Sequence, residues 1–586
     1  MGVEGGHPVL DMLPAVLIGA TLSALATLPM AWPFQASAHD LCLLSLLGAF
    51  QLALPCLLVV RLSKELPAPE ISLLAQLEVV FGVTWAWLWA GEQPSAGGTF
   101  RYAMIDTPPT LDQHIVTATL GTTISQHFFE TLFAFTEAYE PVPFLAKSAD
   151  VRDGGKLILI QLRQGVLFHN GKEMTSADVV ASLNRWGKSG ARGPVLFGKV
   201  DKVEADGKYG VRIVLKEPFA PWATLLAFAN GGPVIYPKEV VENAGKEPIG
   251  PKDYIGTGPY RFVEWKSGHE IILERFDKYA KHTDKGDGYA GERNAYFDRI
   301  VFIPVADPGT RVNGIKAGEY DYAEWIPGDL FEGLERDASV RTMIRKAAEF
   351  GELFFNQKEG LMTNQKLRQA VYAALNMEPA LRASVGPQKL WSLNGALMPP
   401  GTKWYSKVAL DQYSQGNAER AKALAKEAGY KGEPIRYMVT TSYEHHYSAT
   451  VVLSKQLKDA GFNIDLQIYD WATLVQRRAQ PNLWDLFYTT HGFVPDPMLY
   501  TFMSPAYPGW WDTPRKRQYM GEFTSRSEPA RRMEAMEKLQ ALFYEEVPLA
   551  KTGDSYTYDI YTPKVQGVGA TTLLNFNRFW NVWFRK

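Results

Sequence analysis

Hydrophobic positions along this 586-residue chain fall into two regimes that meet near residue 95. Before that point, three apolar segments, residues 12–32, 41–60 and 71–90, run almost without charge, with Glu78 the main exception. Each is about 20 residues long, enough to cross ~30 Å of hydrocarbon as a helix. Trp85, Trp87 and Trp89 close the third segment, and a membrane interface favours such rings. The competing reading is buried helices of a soluble domain. Arg61 and Lys64 lie between the second and third segments, whereas the loop with His39 and Asp40 has no Lys or Arg. The positive-inside rule then places the Arg61 loop in the cytoplasm and delivers everything after Gln93 to the far side. A cleaved signal peptide is the other option, since Ala36-Ser37-Ala38 has the small-residue pattern of a cleavage site. Against it, the residues before Leu10 include Glu4 and no Lys or Arg, and cleavage leaves two further apolar segments.

From Gly97 onward the pattern changes to short alternating strands and amphipathic helices. Residues 99–105 read as a strand, and 156–163 alternate as a half-buried strand does. A helix is predicted over 176–186, capped by Thr175 or Ser176, with Ala177, Val180 and Leu183 on one face. Further helices are predicted at 367–375, 418–428 and 448–460, and strands at 435–440 and 464–469. That order implies an α/β architecture with open sheets.

Composition narrows the function classes. The formal net charge of −2 gives no basic surface for nucleic acid. The two cysteines, Cys42 and Cys56, both lie in the apolar start. The rest of the chain therefore has neither a disulfide framework nor a Cys-based zinc site. Sixteen Trp, 27 Tyr and 30 Phe supply either core packing or a ring-lined pocket. No G-x-S-x-G elbow, H-E-x-x-H pair or P-loop occurs, so nothing nominates an enzyme. No cofactor and no metal is expected. A transporter in its own right needs more apolar segments than three, and a signalling sensor needs an output domain that neither end supplies.

Two resemblances add to this. Residues 63–95, SKELPAPEISLLAQLEVVFGVTWAWLWAGEQPS, resemble the penultimate helix of EamA-type drug/metabolite transporters, in Pro67 to Glu70, Glu78 and Gly91-Glu92. That family continues into one more membrane helix, and this sequence does not. Residues 1–95 are then an anchor, a gene-fusion remnant or a mistaken start. Residues 162–186, LRQGVLFHNGKEMTSADVVASLNRW, resemble the signature of the family 5 solute-binding proteins. Gly165 and Gly171 permit tight turns there, and Asp178 lies in the first helical turn. GTGPYRFVEW (256–265), ILERFDKYA (272–280), FDRIVFIPVADPGTRVNGIKAGEYDYAE (297–324), FFNQKEG with KLRQAVYAAL (354–375) and AKALAKEAGY (421–430) follow in the family's order, with Val547-Pro548 and Val565 to Gly567.

The resemblance implies a two-lobed α/β fold of the periplasmic-binding-protein type II (cluster C) kind, preceded by about three transmembrane helices. Lobe I would comprise 97–345 completed by 553–586, and lobe II 346–552, with two chain crossings as hinge. The implied function is the extracytoplasmic solute-binding component of an ABC importer, monomeric in its soluble part, on the periplasmic side of the inner membrane. Its partners would be a small-molecule or peptide ligand and the permease membrane subunits. A membrane-tethered ligand sensor not dedicated to transport is the alternative. In peptide-binding relatives a Trp and an Asp precede an Asp/Glu-Pro pair, and the Asp holds the peptide's α-amino group. Aligned on Asp496-Pro497 in THGFVPDPMLY (490–500), these positions are Thr490 and Phe493, so the ammonium clamp is missing. Candidate ligand-binding residues are His491, Phe493, Trp404, Tyr443, His445, Trp511, Asp112 and His114. Tyr443 and His445 lie in TTSYEHHY (440–447), a strand-end loop of the kind that lines crevices in α/β folds. Asp112 and His114 follow the first strand in PPTLDQH (108–114).

Overall fold

The expected strands at 99–105 and 156–163 form as Thr99–Met104 and Leu157–Leu162. The architecture around them was described from a computed structural model covering residues 96–190, 192–569 and 576–585. The apolar segments, the transporter-like run 63–95, Cys42 and Cys56 lie outside the described residues. Among the described residues, no helix is long and apolar enough to cross a membrane.

The dominant element is a mixed, 11-stranded sheet. Its spatial order is Ile464–Tyr469, Ile435–Thr440, Leu486–Gly492, Arg341–Phe355, Leu549–Tyr561, Tyr322–Ala323, Thr99–Met104, Arg299–Pro304, Glu270–Arg275 and Tyr260–Lys266. The short strand Trp391–Ser392 pairs with Leu549–Tyr561 off this path. At one end Ile435–Thr440 and Ile464–Tyr469 run parallel, joined by helix Glu444–Asp459, because a parallel pair needs a long crossover. At the other end Tyr260–Lys266 and Glu270–Arg275 form an antiparallel hairpin.

The two halves are joined by strands of unusual length, Arg341–Phe355 and Leu549–Tyr561, with 15 and 13 residues. They pair antiparallel from Arg341↔Tyr561 to Arg345↔Thr557, lose register, and resume at Glu349↔Ser555. A second shift separates Gly351↔Gly553 from Glu352↔Lys551. Bulges of this kind bend a strand and increase its local twist.

A separate four-stranded antiparallel sheet, ordered Ala146–Arg152, Leu157–Leu162, Gly210–Leu215 and Val200–Asp206, packs against helix Ser176–Ser189. That helix starts with a capping box. Thr175 caps it, and the Asp178 carboxylate accepts the Thr175 N–H at 2.8 Å, an arrangement worth ~1 kcal/mol. Gly165 and Gly171 take φ of +72° and +85°, so their missing Cβ atoms are what the two turns require.

Candidate functional site

Beyond the register break, one face of the long strand pair carries polar groups inside an aromatic surround. Alternation puts Phe350 and Glu352 on the same face of their strand. Asp554 and His491 lie opposite Phe350, on either side, and Lys551 lies opposite Glu352. Glu352, Asp554 and Lys551 are almost wholly buried, and each has a partner. Lys551 Nζ pairs with Asp554 at 2.7 Å and donates to the Ala396 carbonyl at 2.6 Å. Asn394 donates to the other Asp554 oxygen at 2.8 Å. His491 Nδ1 bonds the Glu352 carboxylate, while its Nε2 lies 2.9 Å from the Thr501 hydroxyl and 3.0 Å from that of Tyr507.

Rings cover this ionic chain. Phe350 packs on Phe493 at 4.9 Å and edge-on to Tyr500 at 5.4 Å, and Tyr500 stacks on Phe502. The Lys551 ammonium lies 5.1 and 5.3 Å from the Phe350 and Phe493 ring centres, within the range where a cation is attracted to a ring face. Burial pushes the Lys551 pKa down, opposed by Asp554. Burial pushes the Glu352 pKa up, opposed by His491 and Lys551. Each charge thus has a counter-charge within the protein, and the buried rings of Phe493 and Tyr500 form an aromatic shelf over them.

Tyr443 and His445 stand on the opposite face of the same strand end. Tyr443 caps helix Glu444–Asp459 and is exposed, with Trp471 edge-on at 5.3 Å. His445 Nε2 is 4.0 Å from Glu349, which pairs with Gly492. Its neighbour His446 is buried against the Thr490 hydroxyl at 3.2 Å, and burial lowers its pKa to about 3. Trp404 packs on Phe523, with the Arg532 guanidinium 4.4 Å from its ring centre. Arg532 in turn holds Asp496 at 3.0 Å. Trp511 is buried, and its indole N–H donates to Glu546. Asp112 and His114 lie in a separate knot around Arg185. Asp112 accepts from Arg185 at 3.2 and 2.7 Å, from the Tyr236 hydroxyl at 3.0 Å and from the Ile249 N–H at 3.0 Å. His114 lies between Arg185 and the Val234 carbonyl, and burial lowers its pKa to about 4.

The structure therefore brings His491 and Phe493 together, sets Tyr443 and His445 behind them, and places Trp404, Trp511, Asp112 and His114 elsewhere. Sequence reasoning passed over Glu352, Asp554, Lys551 and Tyr500. A signal was available for two of them: Glu352 in GELFF and Lys551 in PLAKT sit among apolar residues, and buried charges are paired. Among the described residues no group of three His, Cys, Asp or Glu could hold a metal ion.

Polar contacts link the early and the middle parts of the chain, two of them far from the long strand pair in sequence. Lys403 pairs with Glu140 at 3.1 Å, and the Ala220 N–H donates to the Thr524 carbonyl at 2.7 Å.

Residues 140–512 match the family described as bacterial extracellular solute-binding proteins, family 5 middle, over more than half of the chain. A protein of Sinorhizobium fredii named "Probable peptide ABC transporter periplasmic-binding protein" is 28% identical over 504 residues, 82% of this chain and 92% of that protein. Among solved structures, the ABC transporter substrate-binding protein CtaP of Listeria monocytogenes superposes with a TM-score of 0.72 at 21% identity, covering 84% of this chain and all of that one. The agropinic acid complex of the binding protein AgaA from Agrobacterium superposes at 0.66 and 22% identity, over 83% and 99%. At such identities the superpositions establish a shared mixed α/β fold of the periplasmic-binding-protein kind.

Proposed function

The chain belongs to the family 5 bacterial extracellular solute-binding proteins, and from that premise we propose that it captures a small solute between two lobes for ABC import. Lobe I is taken as 97–345 with 553–586, and lobe II as 346–552. Two register shifts in the long strand pair, between Arg345 and Glu349 and between Gly351 and Glu352, support that division and are the observation that carries the reading. A ligand seated on the aromatic shelf is buried from both sides when the lobes close, and a few polar groups fix its orientation. The Lys403–Glu140 pair and the Ala220–Thr524 hydrogen bond are the contacts that closure makes. Capture and release require no bond-making step.

Phe493 stands where the resemblance puts the carboxylate that holds a peptide's ammonium group. This favours opines, sugars or amine-blocked peptides over peptides with a free N-terminus. His491, Phe493 and Tyr500 are the proposed wall on lobe II, with Tyr443 and His445 at its margin. Residues 12–90 are proposed to tether the protein to the periplasmic face of the inner membrane. Their support is three apolar segments of spanning length and the trio Trp85, Trp87 and Trp89.

The test is mass spectrometry of solute carried through purification, followed by calorimetry of residues 97–586 against peptides, opines and sugars. A bound solute with a negative heat-capacity change on binding is expected. A folded protein that carries nothing and binds none of these classes overturns the reading.

A further inference from the structure

The His491 imidazole spans the step from a buried charge to the surface. Its side chain is 18% exposed, whereas the Glu352 carboxylate behind it is fully buried. Phe354, Phe502 and Tyr507 pack edge-on to the imidazole, with ring centres 6.0, 6.3 and 5.5 Å away. The ring is thereby held in one orientation, and its two nitrogens meet different partners. Nδ1 bonds Glu352, while Nε2 lies 2.9 Å from the Thr501 hydroxyl and 3.0 Å from that of Tyr507. Thr501 is exposed and Tyr507 is half-buried, so this end of the chain of contacts is open to an outside group.

Counting protons orders these contacts. Burial raises the Glu352 pKa, but His491 and Lys551 both favour its ionised form. An ionised carboxylate only accepts, so the bond to Glu352 keeps a proton on Nδ1 and leaves Nε2 as an acceptor. Nε2 has one lone pair and two hydroxyls beside it, so it takes one proton. A phenol is a more acidic donor than an aliphatic alcohol, which gives that place to Tyr507. The Thr501 hydroxyl then donates to the Tyr507 oxygen, and the lone pairs of Thr501 Oγ1 are left for a group outside. Tyr507 registers both neighbours: burial raises its pKa to about 12, Arg478 opposes this, and the Glu352 charge and a Thr501 hydrogen bond are felt there too. Every proton in the series points towards the buried carboxylate, an arrangement in which each bond polarises the next.

We propose that Glu352 is a positioning residue for solute recognition: through His491 and Tyr507 it turns Thr501 Oγ1 into an acceptor for a hydroxyl or N–H group of the solute. This role rests on the import reading. A carboxylate finds no donor at that oxygen, so the position selects for sugar hydroxyls or amide N–H groups and against anionic ones.

Nitrogen-15 NMR of the full chain, labelled at its 10 histidines, reads the tautomer directly, with the His491 signals assigned by their loss in His491→Asn. At pH 8 the wild type should show the Nδ1–H tautomer, and Glu352→Gln should move the ring to the Nε2–H tautomer. Nε2 protonation in the wild type, or a tautomer indifferent to Glu352→Gln, overturns the positioning role. The solute probes are N-methylacetamide, which has an N–H, and N,N-dimethylacetamide, which has none, both titrated against the same signals. The first should bind at least tenfold more tightly. Thr501→Val keeps the shape at an exposed position and should abolish that preference, while the Nδ1–H signature and the melting temperature stay as they are. Thr501→Ser should retain the preference. Equal binding of the two probes by the wild type, or a preference that survives Thr501→Val, overturns the acceptor, and this arm decides even where Glu352→Gln does not fold. A natural solute found by mass spectrometry in a protein that fails these tests sinks the relay alone and leaves the import reading standing.

Discussion

Replacing Asp112 with Asn separates a scaffold role from a ligand role for a residue that the sequence pattern nominates as a cleft contact. The carboxylate is fully buried and pairs with Arg185 at 2.7 Å, and the Arg185 side chain is only 3% exposed. Burial is the largest influence on its pKa and raises it. The Arg185 hydrogen bond, the His114 and Arg185 charges and the Ile249 N–H together outweigh burial and carry it below the usual range. Asn keeps the shape but strands the guanidinium. Breaking a buried pair from one side costs ~3–5 kcal/mol, a large part of the ~5–15 kcal/mol that holds a typical protein folded. Glu204→Gln, in the exposed Lys202–Glu204 pair, serves as control and should cost below ~1 kcal/mol. Guanidinium chloride denaturation of residues 97–586 provides the comparison, with calorimetry of the bound solute beside it. Because the folded pKa is depressed, the stabilisation is complete above the unfolded value of ~3.9 and is lost only as pH falls through the folded pKa. The Asn penalty should therefore persist at pH 5 and fade in stronger acid. A loss of solute affinity with stability within ~1 kcal/mol of the parent refutes this reasoning.

His114, His127 and His446 are buried, with pKa values lowered to about 4, 3 and 3. With His169 and His282, which burial likewise lowers to about 4 and 3, unfolding between pH 4 and 6 should take up about five protons, and stability should fall with acid by up to ~1.4 kcal/mol per pH unit for each. Denaturation midpoints that are flat across that range contradict it. Gly351→Ala should destabilise by ~1–3 kcal/mol, because a Cβ there meets the Tyr488 hydroxyl at 1.9 Å and that of Thr552 at 2.5 Å. Adding Tyr488→Phe should recover part of the loss, as read by thermal melting. Lys403→Ala should weaken solute binding no more than about fivefold, since exposed pairs contribute below ~1 kcal/mol. The change should appear in the dissociation rate by stopped flow, and an unchanged rate removes Lys403 from the closing contacts.

Local structure was legible wherever its determinants were local. Strands 435–440 and 464–469 form with the predicted bounds, and 418–428 becomes helix Ala418–Glu427. The helix predicted at 448–460 starts earlier, as Glu444–Asp459, because its cap is Tyr443 rather than one of the usual polar residues. The long strands escaped notice. RTMIRKAAEFGELFF mixes charge with apolar residues in no clean alternation, since its two sections pair in different registers. Partners distant in sequence decide the rest. Nothing beside Asp112 announces Arg185, 73 positions on, and nothing beside His491 announces Glu352, 139 positions back. Phe493 was named differently, from its spacing to the neighbouring Asp496-Pro497 in the sequence.

The paired strands Arg341–Phe355 and Leu549–Tyr561 constrain how this molecule can move. One connecting strand would allow the two proposed lobes to swing, slide and twist independently. Two strands, hydrogen-bonded along both sides of the register break, resist shear and in-plane rotation, and leave bending across the pair as the soft degree of freedom. Under the proposed two-lobed reading, opening and closing follow a single coordinate, whatever occupies the space between. Residues facing that space are free to diversify for new cargo, because the path of motion is encoded in the backbone of the straps.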